Sequence, residues 1–283
     1  MTGYREENKL IMEKNAPIGV FDSGVGGLTV AREIMRQIPN ERIVYFGDTA
    51  RVPYGSKSKD NIIKFSRQII RFLQTENVKA IVIACNTASA LALDEMQQEF
   101  DLPILGVVKP GAKVAVETTA NKRIGLIGTE ANIRSGVYTR YIKSLDDEAK
   151  VFEKACPLFV PLVEEGWLHD DITLQVASRY LEELKEKDID TLIMGCTHYP
   201  LIRSTIRKVM GDKVNLVNPA YETAIELKNL LERDNLANKC DVDSPSSMYR
   251  FYVSDAEEKF KLFANSILPF DITMTKQINI ENY

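Results

Sequence analysis

Between residues 17 and 218, short apolar runs alternate with amphipathic stretches, and that alternation restricts the chain to few folds. IGVF, RIVYF, AIVIA, RIGLIG, TLIMG and VNLVN each precede or follow a helical pattern, as in an α/β protein with mostly parallel strands. LTVAREIMRQI, NIIKFSRQIIRFLQ and LQVASRYLEELKEK place apolar residues three and four apart and are expected to be helices covering the sheet. With 283 residues, 45% of them hydrophobic, the chain is long for one domain of roughly 100 to 200 residues. Two lobes are expected.

A weak internal repeat supports that division. IGVFDS at 18–23 resembles IGLIGT at 124–129, and AIVIACNTASA at 80–90 resembles TLIMGCTHYPL at 191–201. Each half supplies a strand ending on a hydroxyl residue and a strand ending on a thiol, Cys85 in one and Cys196 in the other. Related α/β lobes can turn the carboxyl ends of their strands toward one cleft, where ligands of such sheets bind.

The thiols suggest the chemistry. A strand's carboxyl end meets the next helix's N-terminus, so both cysteines are expected beside unpaired N–H groups in a field that favours thiolate over thiol. Two thiols flanking one bound molecule can remove a proton from one face and return one to the other, inverting a stereocentre. Asn86 and Thr87, and likewise Thr197 and His198, offer donors and acceptors, while helix-start N–H groups can take a carboxylate. His198, two residues past Cys196, is placed to assist or relay its proton. Asp22, at the end of IGVFD, is the comparable group in the first half. A lone strand-ending cysteine is more often a small buried hydrophobe; the matched pair with polar neighbours favours the functional reading.

Other features are less specific. DSGVGG at 22–27 is either a phosphate-cradling loop or a tight turn with Ser23 capping the following helix. PYGS at 53–56 is a turn, or its tyrosine and serine hydroxyls, backed by Asp48, line a polar pocket. Cys196 and His198 without further local ligands are weak evidence for zinc. The four cysteines, Cys85, Cys156, Cys196 and Cys240, form no CxxC pair, which points to a reducing compartment. Cys156 and Cys240 have no matched partner and are expected to be structural; His169 in GWLHDD is expected to be a solvated loop residue. A net charge of -4 without basic runs argues against nucleic acid as a partner. No apolar run approaches the roughly 18 residues of a membrane span, and MTGYREENKLIMEKNA is too polar for a secretion signal. A cytoplasmic protein with no membrane partner is expected.

FDSGVGG, GDTARVPYG, IACNTASA, FVPLVEEG and MGCTHYPL, in this order and spacing, resemble the glutamate racemases of the aspartate/glutamate racemase family, over about residues 17 to 220. The resemblance implies a cofactor-independent, metal-free isomerase that interconverts L- and D-glutamate by two-base α-proton transfer and supplies D-glutamate for peptidoglycan. Cys85 matches the thiol that exchanges the α-proton of D-glutamate, and Cys196 the one that serves L-glutamate. Asp22 and His198 match the residues assisting them. Asp22 with Ser23, Tyr54 with Gly55, Asn86 with Thr87, and Thr197 with His198 fall where the family binds the substrate's carboxylates and amine. Glu164 matches an acidic position near the second thiol, with Glu165 as the alternative. Val52 stands where many relatives have cysteine, but it is neither paired thiol.

The implied fold has two pseudo-symmetric Rossmann-like α/β lobes with mostly parallel sheets and the active site in the cleft between them. Residues 1–16 form an N-terminal extension, 17–107 plus 219–283 a discontinuous first lobe, and 108–218 the second. A homodimer is implied. Two other readings remain open: a related racemase or decarboxylase for aspartate, hydantoins or malonates, and a module that binds an anion without turnover.

Overall fold

Two sheets with parallel strand pairing organise the chain in the computed structural model, which describes residues 14–239, 248–272 and 274–283. Residues 1–13 of the N-terminal extension, and Cys240, lie outside the described residues. The strands are β1 (Ile18–Asp22), β2 (Ile43–Gly47), β3 (Ala80–Ile83), β4 (Ile104–Gly106), β5 (Arg123–Gly128), β6 (Lys150–Ala155), β7 (Thr191–Gly195), β8 (Asn215–Val217), β9 (Tyr249–Val253) and β10 (Thr275–Gln277). One sheet runs β10-β9-β2-β1-β3-β4 and the other β6-β5-β7-β8.

The internal repeat is a repeat of topology and register. The order β2-β1-β3-β4 recurs as β6-β5-β7-β8. Ile18 pairs with Ala80 in the first sheet and Ile124 with Thr191 in the second, matching the first residues of the resembling stretches. IGVFDS and IGLIGT are therefore one strand in two copies, and each thiol follows the equivalent neighbouring strand. β9 and β10 extend only the first sheet, along the β2 edge.

Burial explains which strands the sequence announces. β1, β2, β3 and β7 are buried along their whole length, as expected for parallel strands covered on both faces. The edge strand β6, KVFEKA, has no fully buried residue, and its charges suit an edge that must resist further pairing. The three expected helices form at Leu28–Gln37, Lys59–Thr75 and Asp171–Lys185. Ser58 caps the second by accepting from Asn61 N, and Asp170 caps the third by accepting from Ile172 N, satisfying N–H groups the helices leave unpaired.

The core follows the sheets. Ile18, Val20 and Leu28 pack with Phe251 on one face of the first sheet, and Phe21, Phe46 and Phe72 with Ile83 on the other. Phe159, Leu181 and Met194 share one cluster of the second sheet, and Ile124, Tyr138 and Ile193 the other. The helix Val108–Thr118 packs Ala112 and Ala115 into the second sheet's core, whereas Pro219–Arg233 returns Ala224 and Leu227 to the first. Among the described residues, no helix is long and apolar enough to cross a membrane.

Candidate active site

Cys85 and Cys196, carried by different sheets, line one cleft of about 400 Å³. Its wall also includes Ser23, Tyr54, Gly55, Asn86, Thr87, Thr197, His198 and Glu164. The expected site residues are thus brought together, except that Asp22 is fully buried and lies outside the lining.

In the first lobe, β1 ends on Asp22, whose Oδ2 accepts from Gly24 N at 3.0 Å. Burial holds this carboxyl above the usual carboxylate range, against the pull of His198 and of nearby backbone N–H groups. Cys85 immediately precedes the helix Asn86–Glu99, and its thiol donates to Ser23 Oγ at 3.7 Å. Burial, and then the charge of Asp22, push this thiol up to about 12 despite the Ala88 N–H and the Ser23 hydroxyl. The expectation of a favoured thiolate at Cys85 is therefore corrected: desolvation outweighs the helix terminus.

The second thiol has a different setting. Cys196 is followed by a 3₁₀ turn, Tyr199–Ile202, with Pro200 in its first turn, and the α-helix begins only at Arg203. The expected helix N-terminus beside Cys196 is thus absent, and an imidazole stands there instead. His198 Nδ1 lies 3.7 Å from Cys196 Sγ, and Nε2 lies 3.1 Å from Glu164 Oε1. Burial alone would lower the imidazole pKa, but the hydrogen bonds to Cys196 and Glu164, with the surrounding negative charge, raise it to about 10. The bond to His198 in turn holds Glu164 below its ordinary range, against partial burial. Glu165 is exposed, so of the two glutamates Glu164 reaches the imidazole.

Bonds across the lobes fix the remaining polar groups. Tyr138 Oη donates to Asn86 Oδ1 at 2.7 Å, and Thr29 Oγ1 donates to Thr197 O at 2.9 Å. Tyr54 forms part of a 3₁₀ turn, Tyr54–Ser56, and donates its hydroxyl to Asp48 Oδ2. That hydroxyl is committed away from a ligand, so Tyr54 and Gly55 are left to act through ring and backbone. Ser56 also lines the cleft.

DSGVGG is a close-packed turn. A Cβ on Gly26 would stand 2.4 Å from Thr197 Oγ1, and one on Gly27 2.3 Å from Asp22 Cβ. Its glycines admit the opposite lobe and the buried carboxylate. Ser23 does not cap the following helix, whose N-cap position is Gly27 without a side-chain bond. Cys156 is buried and free, and His169 is exposed. Among the described residues, no group of three or more metal-ligating side chains is assembled.

Thr129 also lines the cleft, and its Oγ1 lies 3.0 Å from Thr87 Oγ1. It is not among the site residues expected from the sequence. The repeat contains the signal, since aligning IGLIGT with IGVFDS places Thr129 opposite Ser23.

The model of the Asp/Glu/Hydantoin racemase family matches residues 18–225. A glutamate racemase of Geobacter metallireducens is 44% identical over 264 residues, covering 93% of this chain and 97% of that protein. A crystal structure of a glutamate racemase isoform from Bacillus anthracis superposes with a TM-score of 0.89 at 39% identity, covering 94% of this chain and 98% of that one. The glutamate racemase from Francisella tularensis, solved in complex with D-glutamate, gives 0.88 at 38% identity over 95% and 100% of the two chains.

Proposed function

The chain belongs to the Asp/Glu/Hydantoin racemase family, and on that footing we propose that it is a glutamate racemase working by two-thiol α-proton transfer without a cofactor. The observation that carries this reading is the pair of thiols at equivalent strand ends of two repeated sheets, lining one cleft. In the L-to-D direction the Cys196 thiolate removes the α-proton while the Cys85 thiol delivers its proton to the opposite face. One S–H bond forms and one breaks, and the return direction exchanges the roles. His198, held by Glu164, assists Cys196, and Asp22 assists Cys85.

An amino-acid α-C–H is far less acidic than a thiol, so the site must stabilise a carbanion-like transition state. Donors preorganised around the substrate carboxylate supply that stabilisation. The groups proposed for substrate binding are Ser23, the Tyr54–Gly55 turn, Asn86, Thr87, Thr197 and His198, joined by Thr129. Asp22 acts from beneath, through Cys85. The lobes divide at residues 107/108 and 218/219. We assign the product to peptidoglycan synthesis in the cytoplasm, and the assembly to a homodimer.

The test is incubation with L-glutamate, and separately D-glutamate, in deuterated buffer without cofactor, following optical rotation and α-proton loss. Inversion with deuterium wash-in from both enantiomers, abolished by either Cys85→Ala or Cys196→Ala, is expected. Near-wild-type turnover by either variant would remove the two-base scheme.

A further inference from the structure

Asp48, just after β2, is fully buried yet lies outside the cleft lining. Its Oδ2 accepts the Tyr54 hydroxyl and, at 2.7 Å, Arg51 Nε; its Oδ1 accepts Ser254 Oγ at 2.8 Å. The Arg51 guanidinium lies 4.1 Å from the Phe65 ring centroid. Arg51 Nη1 donates to Gln68 Oε1 at 2.6 Å and to Glu281 Oε1 at 3.2 Å. Glu281 belongs to the 3₁₀ turn Ile280–Asn282 at the end of the chain and also accepts Gln68 Nε2 at 3.3 Å.

These bonds form a continuous relay, Glu281–Arg51–Asp48–Tyr54, from the C-terminal turn to the cleft wall. A hydroxyl bonded to a buried carboxylate has a strongly preferred position, and charge-assisted bonds are the stronger class. The position matters because the next residue, Gly55, approaches the second lobe: a Cβ there would stand 3.1 Å from Thr129 Cβ. Few backbone bonds compete for control of this loop. Arg51 N donates to Asp48 O and Lys57 N to Tyr54 O, while Ala50 N is held by Ser254 Oγ. The side-chain relay, together with packing of the buried Tyr54 ring 5.6 Å from that of Phe65, therefore sets where the Tyr54–Gly55 turn stands.

We propose that Asp48 is a positioning residue for substrate binding: it fixes the Tyr54–Gly55 wall through the tyrosine hydroxyl, and Arg51 couples that placement to the C-terminal turn through Glu281. The inference rests on the glutamate-racemase reading of the cleft. The relay touches neither thiol, so its effect belongs in substrate affinity and is shared by both enantiomers.

Steady-state kinetics of the full chain test it. Asp48→Asn keeps the side-chain shape and removes the charge, and is expected to raise KM for L- and D-glutamate about tenfold while kcat stays within about twofold, in line with loss of one charge-assisted bond. Glu281→Gln, at the exposed end of the relay, is expected to raise both KM values roughly threefold with folding intact. Arg51→Lys should reverse part of the KM increase caused by Arg51→Ala. If Asp48→Asn does not fold, Glu281→Gln decides alone. Unchanged KM in these variants, or a loss confined to kcat, overturns the proposal. Failure of the wild-type chain to racemise glutamate would instead remove the reading beneath it.

Discussion

Thr87 Oγ1 and Thr129 Oγ1 lie 3.0 Å apart, and this contact joins the helix after β3 to the turn after β5 across the cleft. Only one of the two hydroxyls donates in their mutual bond, so one proton is left for another acceptor. A carboxylate entering between the lobes can take both protons, replacing one neutral bond with two charge-assisted ones. With Tyr138 on Asn86 and Thr29 on Thr197 O, the contact forms a polar seam that a dicarboxylate can enter.

Thr129→Val keeps the branched shape and deletes the hydroxyl. It is expected to raise KM severalfold for both enantiomers. Thr129 Oγ1 also caps the helix Glu130–Ser135 by accepting from Asn132 N at 3.3 Å, so the variant should lose about 1 kcal/mol of stability. Thr129→Ser should retain both properties. Kinetics beside thermal melts separate the two effects; a lowered melting temperature with unchanged KM would confine Thr129 to capping.

Asp22 acts on Cys85 in one of two ways that mutate with opposite sign. Its charge raises the thiol pKa, so as a bystander its removal should speed reaction from D-glutamate. Its own carboxyl is held above the ordinary range, which suits it to accept the proton Cys85 releases. The expected outcome is relay: Asp22→Asn lowers kcat from D-glutamate about tenfold more than from L-glutamate, on the scale of acid–base assistance. The enantiomers have an equilibrium constant of unity, so kcat/KM must change equally in both directions, and KM for D-glutamate must fall about tenfold relative to KM for L-glutamate. Primary isotope effects with α-deuterated substrates check that the chemical step changed; equal losses of kcat would count against the asymmetry.

His198 predicts a pH dependence with a definite sign. Its folded pKa, raised from 6.5 to about 10, means that protonation stabilises the folded state fully below the unfolded value, and that this stability is lost as pH climbs between those values. Glu164→Gln removes the negative charge from one of the bonds holding the proton and leaves the burial that opposes it. The imidazole pKa should fall, read by NMR on a chain with only two histidines, and the melting temperature should decline less steeply than wild type from pH 7 to 10. An unmoved imidazole titration would show that Glu164 does not set the charge of His198.

The buried central strands were legible because parallel strands covered on both faces leave uninterrupted apolar runs. β4, β6 and β10 were not: each is an edge strand, three residues long or broken by charges such as Lys150, Glu153 and Lys154. The thiols and their neighbours were legible because they directly follow strand ends. The local field was read less well. Nothing in the spacing of Cys85 reveals a desolvation that outweighs its helix terminus, and Pro200 begins a 3₁₀ turn where an α-helix was expected. Thr129 was recoverable only by carrying the repeat to both strand ends of each lobe.

Gly26→Ala tests how closely the lobes must approach. Its φ lies outside the left-handed region, so alanine can adopt the backbone, but the added Cβ would stand 2.4 Å from Thr197 Oγ1 and 2.6 Å from His198 Cε1 and Nδ1. The imidazole does not yield cheaply, since Cys196 and Glu164 hold its two nitrogens. Overpacking of this kind costs about 1 to 3 kcal/mol, and the least costly relief moves His198 or separates the lobes. Gly26→Ala is therefore expected to lower kcat by about a hundredfold or more, because small displacements of positioned groups are costly, and to shift the His198 titration. Gly211→Ala is the control: φ there is +82 with nothing within 4 Å of an added Cβ, so about 1 kcal/mol of backbone strain should lower stability and leave kcat unchanged. If the two variants lose stability alike and both keep full activity, close approach of the DSGVGG turn to His198 is not a requirement of turnover.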